Sequence, residues 1–266
     1  MKKKFNFSRL YLILIMIFFY APILYVVIFS FNESKSLSVL SGFSLKWYEK
    51  MFDTKEMMSS IYYSLVVAII ATVVSTIVGT IAAIGLSKSN KVLKEIVTQV
   101  NNIPMLNPDI VTAIGLMLFF ATINVKPGFG TLLIAHIMFC IPYVMLSVSP
   151  KLRQLDDNIA EAALDLGCTP FQSLVKVIIP QIKGGIVSGA IVAFTMSFDD
   201  FVISYFTTGA GINNISTYVY TASKRINPSI YSLSTLIILV VTIVLVLMNI
   251  LPILKERKIK KDEKNI

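Results

Sequence analysis

Three carboxylates, Asp109, Asp199 and Asp200, lie within strongly apolar stretches of this 266-residue sequence. A charge at the centre of a bilayer costs at least ~2.5–3.5 kcal/mol on insertion scales, so such a residue usually faces a cavity or a partner. Neighbouring helical residues point about 100° apart, which lets only one of Asp199 and Asp200 face a central pathway. The sequence ranks these two equally. The alternative for each carboxylate is a pairing with Ser, Thr or a neighbouring helix.

Asp109 has two interpretations, because it follows a polar run from Asn101 to Pro108. In one, Asn107 caps a helix, Pro108 occupies the first helical position and Asp109 the second, which is a purely structural role. In the other, a helix that begins near Lys91 is broken before Asp109, and its polar residues line a wet vestibule near mid-membrane. Both interpretations stay open at the level of sequence.

The remaining reactive groups do not indicate an enzyme or a cofactor site. His136 is the single histidine, and no nucleophile–base or metal-ligand cluster accompanies it in the sequence. We interpret His136 as a hydrogen-bonded helix-packing residue, with a proton carrier as the alternative. Gly184 and Gly189 have the spacing of a phosphate-binding loop, but Ala190 and Ile191 follow where Lys and Ser or Thr are required. No metal, cofactor or ATP is expected to bind by these routes.

The composition indicates which elements must position these groups. Hydrophobic residues make up 55% of the chain and charged residues 15%, with a mean hydropathy of +0.75, which is typical of an integral membrane protein. A helix that spans a bilayer needs roughly 20 mostly apolar residues. We therefore predict an all-α polytopic membrane protein, a single domain of residues 1–266, with six transmembrane helices at 10–31, 61–86, 103–122, 131–149, 183–205 and 230–254.

The positions of Lys and Arg predict the orientation of the chain. With the amino terminus inside, the inner segments hold 17 of the 24 Lys and Arg residues and the outer loops hold 7. Because cationic loops stay on the cytoplasmic side, both termini and the segment 150–182 are expected in the cytoplasm. The formal net charge of +9 then reflects topology and contact with anionic lipid, and gives no support to nucleic-acid binding. Cys140 in a span and Cys168 in the cytoplasm do not predict a disulfide.

Residues 157–180 form a polar insert between two apolar segments, and most helix connections are shorter. Asn158 with Glu161 has the spacing of a capping box, and Gly167 is the glycine that ends a helix. Thr169 caps a second helix, which Pro180 ends. The insert is therefore predicted to be a helix, a tight turn and a helix, and its length indicates a docking element for a partner.

Two further patterns concern packing. Glu161 and Asp165 are four residues apart and share one face of the first short helix, although Glu161 also serves as a cap in the simpler interpretation. Gly185, Gly189 and Ala193 form a stripe of small residues that permits close approach of another helix. That helix belongs either to this chain or to a second subunit.

At these residues the insert resembles the EAA loop of ABC importer permeases of the MetI-like family. The matching positions are Glu161, Ala162, Ala163, Gly167, Ile178 and Pro180, and Ile179 stands where leucine is usual. The rest of the chain resembles the PotC-type permeases of spermidine/putrescine importers. Five strings carry this resemblance in the right order: GFSLKWYEKMF (42–52), NPDIV (107–111), HIMFCIPYV (136–144), EAALDLG (161–167) and SFDDFVISYFTTG (197–209).

The resemblance implies a MetI-like permease subunit in the bacterial cytoplasmic membrane, whose insert at 157–180 forms a coupling helix in a cleft of a cytoplasmic ATPase. The coupling positions implied are Glu161, Ala162, Ala163, Asp165 and Gly167. The partners implied are a homologous second permease, two copies of the ATPase and an extracytoplasmic polyamine-binding protein. ATP hydrolysis would then reside in a partner chain, and this chain would not be an enzyme.

The resemblance also implies a polyamine as the substrate that the intramembrane carboxylates would bind. A polyamine is a flexible apolar rod with ammonium groups at intervals, which suits spaced carboxylates with aromatic surfaces between them. The expected substrate path comprises Asp199, Asp200, Asp109, Tyr143 and Phe198. Two alternatives stay open: an ABC permease for a different small solute, and a secondary transporter or channel that uses the intramembrane aspartates.

Overall fold

The computed structural model describes residues 7–36, 38–156, 158–223, 227–243 and 246. Within these ranges the chain is almost entirely helical, and extended backbone pairs there at one isolated bridge, Asn32 with Phe43. The predicted all-α class is confirmed. The helices in chain order are α1 Phe7–Ser30, α2 Lys46–Asp53, α3 Lys55–Ser87, α4 Lys91–Leu106, α5 Asp109–Thr122, α6 Phe129–Leu152, α7 Ile159–Asp165, α8 Pro170–Ser173, α9 Ile179–Phe198, α10 Val202–Thr207, α11 Ile215–Ser223 and α12 Ser229–Ile243.

Four helices among the described residues are long and apolar enough to cross a membrane. They are Leu10–Ser30, Lys55–Ser87, Phe129–Leu152 and Pro170–Phe198, and the bent pair of α4 and α5 makes a fifth if it is counted as one span. The sixth expected span, 230–254, falls mostly outside the described residues. Its described part, the apolar helix α12, is too short by itself to cross a bilayer.

The expected span 103–122 comprises parts of two helices, α4 and α5, whose axes meet at 106°. The break falls at Asn107 and Pro108. A residue before proline is sterically pushed to extended backbone, and Asn107 has φ −80° and ψ 145°. The expected cap by Asn107 is wrong, because Pro108 takes the N-cap position of α5 and no side chain caps that helix. The other interpretation correctly placed a helix start at Lys91, where the Asn90 side chain accepts from the Leu93 amide at 2.8 Å.

The segment from α8 to α9 is one continuous helix, Pro170–Phe198, that includes a π-helical turn at Leu174–Ile178. The expectation that Pro180 ends the second short helix is therefore wrong. A proline interrupts a helix by lacking an N–H, but Pro180 lies in the first turn of α9, directly after the wider π turn. The helix passes through the proline without a break.

The described residues form two compact units. One contains the residues before Ser59 together with those after Tyr218, and the other contains Ser59–Tyr218. In the first unit a buried amide orders the loop after α1. The Asn32 side chain accepts from the Ser41 amide at 2.9 Å and donates to the Val39 carbonyl at 2.9 Å. The indole of Trp47, in α2, donates to the Asn32 carbonyl at 2.6 Å and is buried.

In the second unit, α9 packs closely along α6. A Cβ on Gly185 would lie 3.0 Å from the Ser147 carbonyl oxygen of α6, and a Cβ on Gly189 would lie 3.2 Å from the Val144 Cα. Ala193 is fully buried, and its carbonyl accepts from the Cys140 thiol at 3.4 Å. The stripe of small residues therefore faces a helix of this chain.

The third long helix of this unit, α3, meets α6 in the same way. A Cβ on Gly79 would lie 2.8 Å from the Val144 Cβ. Small residues on both α3 and α9 thus let three long helices pack with their backbones close together. These helices form the frame that holds the two segments described next.

Candidate functional site

The first candidate site is the insert, in which a locked turn joins α7 to α8. Gly167 has φ +88°, the left-handed conformation that glycine adopts at least cost. Its amide donates to the Leu164 carbonyl at 2.9 Å and the Cys168 amide donates to the Ala163 carbonyl at 3.0 Å. These two bonds are the Schellman pattern, which satisfies the last carbonyls of α7. The predicted helix-ending role of Gly167 is confirmed.

The start of α8 is fixed by its own side chains. The Thr169 hydroxyl accepts from the Gln172 amide at 3.3 Å, and the Gln172 side chain accepts from the Thr169 amide at 3.1 Å. Pro170 follows at the first helical position. The predicted cap at Thr169 is confirmed, and Gln172 completes a capping box, so hydrogen bonds fix the turn from both sides.

The predicted cap of α7 is wrong. Asn158 is the N-cap residue, but its side chain makes no capping hydrogen bond and its backbone is helical, with φ −83° and ψ −9°. A cap residue needs extended backbone to aim its side chain at the first free amides. The backbone amide of Asn158 instead donates to the Asp156 carboxylate at 3.0 Å. Glu161 is exposed and stays available to a partner.

The surface of the insert contains apolar residues that the sequence motif did not single out. Leu166 is 87% exposed and Phe171 is 72% exposed, one on each side of Gly167. Of the five expected coupling positions, Glu161, Ala162, Asp165 and Gly167 are exposed, whereas Ala163 is buried within this chain. The insert thus presents an acidic helix face beside two large apolar side chains held on a rigid turn. Leu166 directly precedes the helix-ending Gly167 and Phe171 follows it within one helical turn. This position was the sequence signal that could have identified the two apolar residues.

The second candidate site is the break between α9 and α10, where Asp199 and Asp200 lie. The Asp200 carboxylate accepts from the backbone amides of Ile203 and Ser204, at 3.2 and 2.7 Å, and from the Ser204 hydroxyl at 2.9 Å. It therefore caps the amino end of α10. Its side chain is 7% exposed and lies 3.6 Å from Nε2 of His136.

His136 connects three helices at this break. Its Nδ1 lies 2.7 Å from the Ser197 hydroxyl of α9, and its Nε2 lies 2.9 Å from the Ser204 hydroxyl of α10. The side chain of Asn214 adds bonds to the Asp200 carbonyl at 2.8 Å and to the Ser204 hydroxyl at 2.6 Å. The interpretation of His136 as a hydrogen-bonded packing residue is confirmed. We name His136, Ser197, Asp200, Ser204 and Asn214 the bend cluster.

The structure separates the two adjacent aspartates. Asp200 is bound within the bend cluster, while Asp199 is exposed at the end of α9, with its carbonyl accepting from the Ser216 hydroxyl at 3.2 Å. Phe198 precedes it, half-buried and stacked on Phe194 with ring centroids 5.6 Å apart. Helix periodicity could not separate the aspartates, because α9 ends at Phe198 before either of them.

Asp109 is exposed at the first position of α5, directly after the bend. The end of α4 meets α6 near this point, where the Asn101 side chain donates to the Pro142 carbonyl at 3.4 Å. Tyr143, the next residue of α6, is half-buried and lies within electrostatic range of Asp109. The structure thus brings Asp109 and Tyr143 into one region and leaves the Asp109 carboxylate accessible.

Comparison with known proteins decides the family. Residues 75–260 match the family described as "Binding-protein-dependent transport system inner membrane component". The chain belongs to this family. Its members are membrane components of transport systems, and the matched range contains the insert and all three carboxylates.

Individual relatives agree with this family. The chain is 37% identical over 233 residues to the putrescine transport system permease protein PotI of Escherichia coli K12, covering 83% of this chain and 82% of the relative. It is 31% identical over 236 residues to the spermidine/putrescine transport system permease protein PotC of Haemophilus influenzae, covering 88% and 92%. The predicted recognition of a PotC-type, MetI-like permease is confirmed.

A solved structure shows the same fold. A chain of a bacterial ABC transporter involved in the import of the acidic polysaccharide alginate matches with a TM-score of 0.68 at 14% identity, covering 94% of this chain and 97% of that chain. This likeness shows the fold, which is that of a chain of an ABC transporter. The family and the permease relatives show that this chain is a transport component and not an enzyme.

Proposed function

We propose that this chain is the permease subunit of an ATP-driven importer for polyamines, coupled to a separate ATPase through α7 and α8. The geometry of the insert supports its coupling to an ATPase. Glu161, Leu166 and Phe171 are exposed beside a turn that the Schellman bonds and a capping box hold in one conformation. Large apolar side chains beside a charge, preorganised on a rigid element, are what a protein partner binds with least loss of entropy.

The distribution of Lys and Arg supports a cytoplasmic position for the insert, and with it for both termini. An ATPase that binds there closes on nucleotide and displaces α7, and the displacement passes into α9 because α8, the π turn and α9 form one helix. The remaining partners in the proposal are a second permease, a second copy of the ATPase and an external polyamine-binding protein. Both α1 and α5 expose many apolar side chains, surface that lipid or a second permease covers.

The names of the relatives support a polyamine as the substrate, and the carboxylates supply a chemical reason. Asp109 and Asp199 are both exposed; Asp109 precedes α6 in the sequence and Asp199 follows it. Tyr143 lies in the same region as Asp109, and Phe198 directly precedes Asp199. An ammonium group binds a carboxylate, and its methylene chain packs on an aromatic face. In this proposal Asp199 and Asp109 contact the cation, while Asp200 shapes the path by holding the bend between α9 and α10.

The test is uptake by vesicles that contain the reconstituted complex. Spermidine or putrescine uptake should require both ATP and the binding protein, and the two polyamines should compete with each other but not with a neutral amino acid. Uptake driven by an ion gradient without ATP would instead identify a secondary transporter. Competition by an unrelated solute would agree with an ABC permease but would contradict a polyamine as its substrate.

A second experiment addresses coupling. Glu161→Ala and Phe171→Ala should weaken association with the ATPase or allow hydrolysis without uptake. Glu95→Ala is the matched control, since Glu95 is an exposed carboxylate on α4 outside the insert. Transport at the wild-type rate in both insert variants would contradict the coupling role.

A further inference from the structure

A basic cleft of about 260 Å³ lies beside the insert and has no part in the coupling or substrate proposals. It lies between the carboxyl ends of α3 and α6 and the amino end of α4. Three cations from these separate parts of the chain line it: Lys88 after α3, Lys94 in α4 and Arg153 after α6. The residues of the cleft therefore converge through the fold and are scattered in the sequence.

The cleft has an excess of positive charge. Among the described residues, Asp156 is the one carboxylate in its lining, and that carboxylate accepts from the Asn158 amide at 3.0 Å. Within the described part of the chain, Lys88, Lys94 and Arg153 form no ion pair with a carboxylate within 4.0 Å. Lys94 is half-buried, so this residue has less access to water than an ordinary surface lysine. An anion would supply the counter-charge that the described residues do not.

One wall of the cleft is apolar, beside the hydroxyl side chains of Ser87, Thr98 and Ser149. Ile84, Leu152, Leu155 and Ile178 line it together with the cations. The cleft is also placed at the ends of two spanning helices, α3 and α6, where the headgroups of a bilayer lie. A free inorganic anion gains nothing from an apolar wall, whereas an amphiphile with a phosphate at one end matches both surfaces. Basic pockets of this kind between membrane helices bind anionic lipid headgroups.

We propose that this cleft binds the phosphate of an anionic phospholipid, with Lys88, Lys94 and Arg153 around the headgroup and the apolar wall against the start of an acyl chain. The site adjoins the insert directly, because Ile159 and Ala160 of α7 complete its lining. A bound lipid therefore contacts the first turn of α7, the helix that lacks a side-chain cap. Occupancy stabilises the start of that helix.

The experiment measures lipid retained by the full-length chain in neutral detergent, using native mass spectrometry with added phosphatidylglycerol or phosphatidylcholine. Phosphatidylglycerol should bind and phosphatidylcholine should not compete. Lys94→Gln and Arg153→Gln should each weaken binding roughly fivefold, since a basic residue near anionic lipid contributes about 1 kcal/mol. Lys94→Arg should retain binding, and Lys91→Gln, an exposed lysine of α4 outside the cleft, should leave it unchanged.

Two outcomes would overturn the proposal. The first is equal phosphatidylglycerol binding by the wild type, Lys94→Gln and Arg153→Gln. The second concerns the source of the phosphate: if millimolar inorganic phosphate displaces the lipid completely, the apolar wall contributes nothing and the site is a simple anion site. Lys88→Gln keeps the test valid if a variant at half-buried Lys94 fails to fold, because Lys88 is exposed.

Discussion

Replacing Gly167 by alanine should loosen α7 through the backbone alone. An added Cβ at this position meets no atom within 4 Å, so no steric clash contributes. The cost is that of placing a non-glycine residue at φ +88°, which is about 1–2 kcal/mol. The helix it terminates has only seven residues, too few to be stable by itself in water. The full cost should therefore appear as a roughly 5- to 30-fold rise in local opening of α7.

Hydrogen exchange of the purified full-length chain measures this opening directly. Amides of 159–166 should exchange roughly 5- to 30-fold faster in Gly167→Ala than in the wild type. Gly167→Asn should show a smaller effect, because asparagine tolerates the left-handed conformation. Gly184→Ala is the matched control, since its added Cβ also meets nothing within 4 Å but lies in a helix. Unchanged exchange of 159–166 in Gly167→Ala would refute the assignment of the turn, independently of any coupling role.

Four further variants test the packing, the cap, the bend and the substrate path. Gly209→Ala places a Cβ on a neighbouring backbone carbonyl and should destabilise the protein by about 1–3 kcal/mol, whereas Gly130→Ala, with open space around it, should leave thermal unfolding unchanged. Thr169→Ala should cost α8 about 0.5–2 kcal/mol, seen as faster amide exchange over its first turn. Asp200→Asn should lower the free energy of unfolding by about 1–3 kcal/mol, because the NH2 group of asparagine cannot accept from the backbone amides that the carboxylate now binds. Asp199→Asn should leave stability unchanged and reduce polyamine uptake, and a loss of stability in this last variant would contradict its exposed position.

Sequence reasoning worked best where a structure depends on residues close together in the chain. The turn at Gly167 and the cap at Thr169 were predictable because each uses bonds spanning five residues or fewer. The cap expected from Asn158 failed for the converse reason, since the type and spacing of residues do not set the backbone angles of the cap itself.

Features that depend on several helices were not predictable. The sequence ranked Asp199 and Asp200 equally, because the donors that bind Asp200 and the nearby His136 come together only through the fold. The continuation of the helix through Pro180 depends on a π turn, for which the sequence gives no established signal. The basic cleft likewise requires three cations that lie on separate elements.

The uninterrupted helix Pro170–Phe198 has a mechanical consequence. With 29 residues at about 1.5 Å each, it is a rod of roughly 44 Å. Gly185 lies against α6 and divides the rod into two nearly equal arms of about 20 Å. A rocking motion of about 5° around that fulcrum moves both ends by nearly 2 Å in opposite directions. Such a motion would displace the end beside the locked turn and the end beside the two aspartates by nearly equal distances.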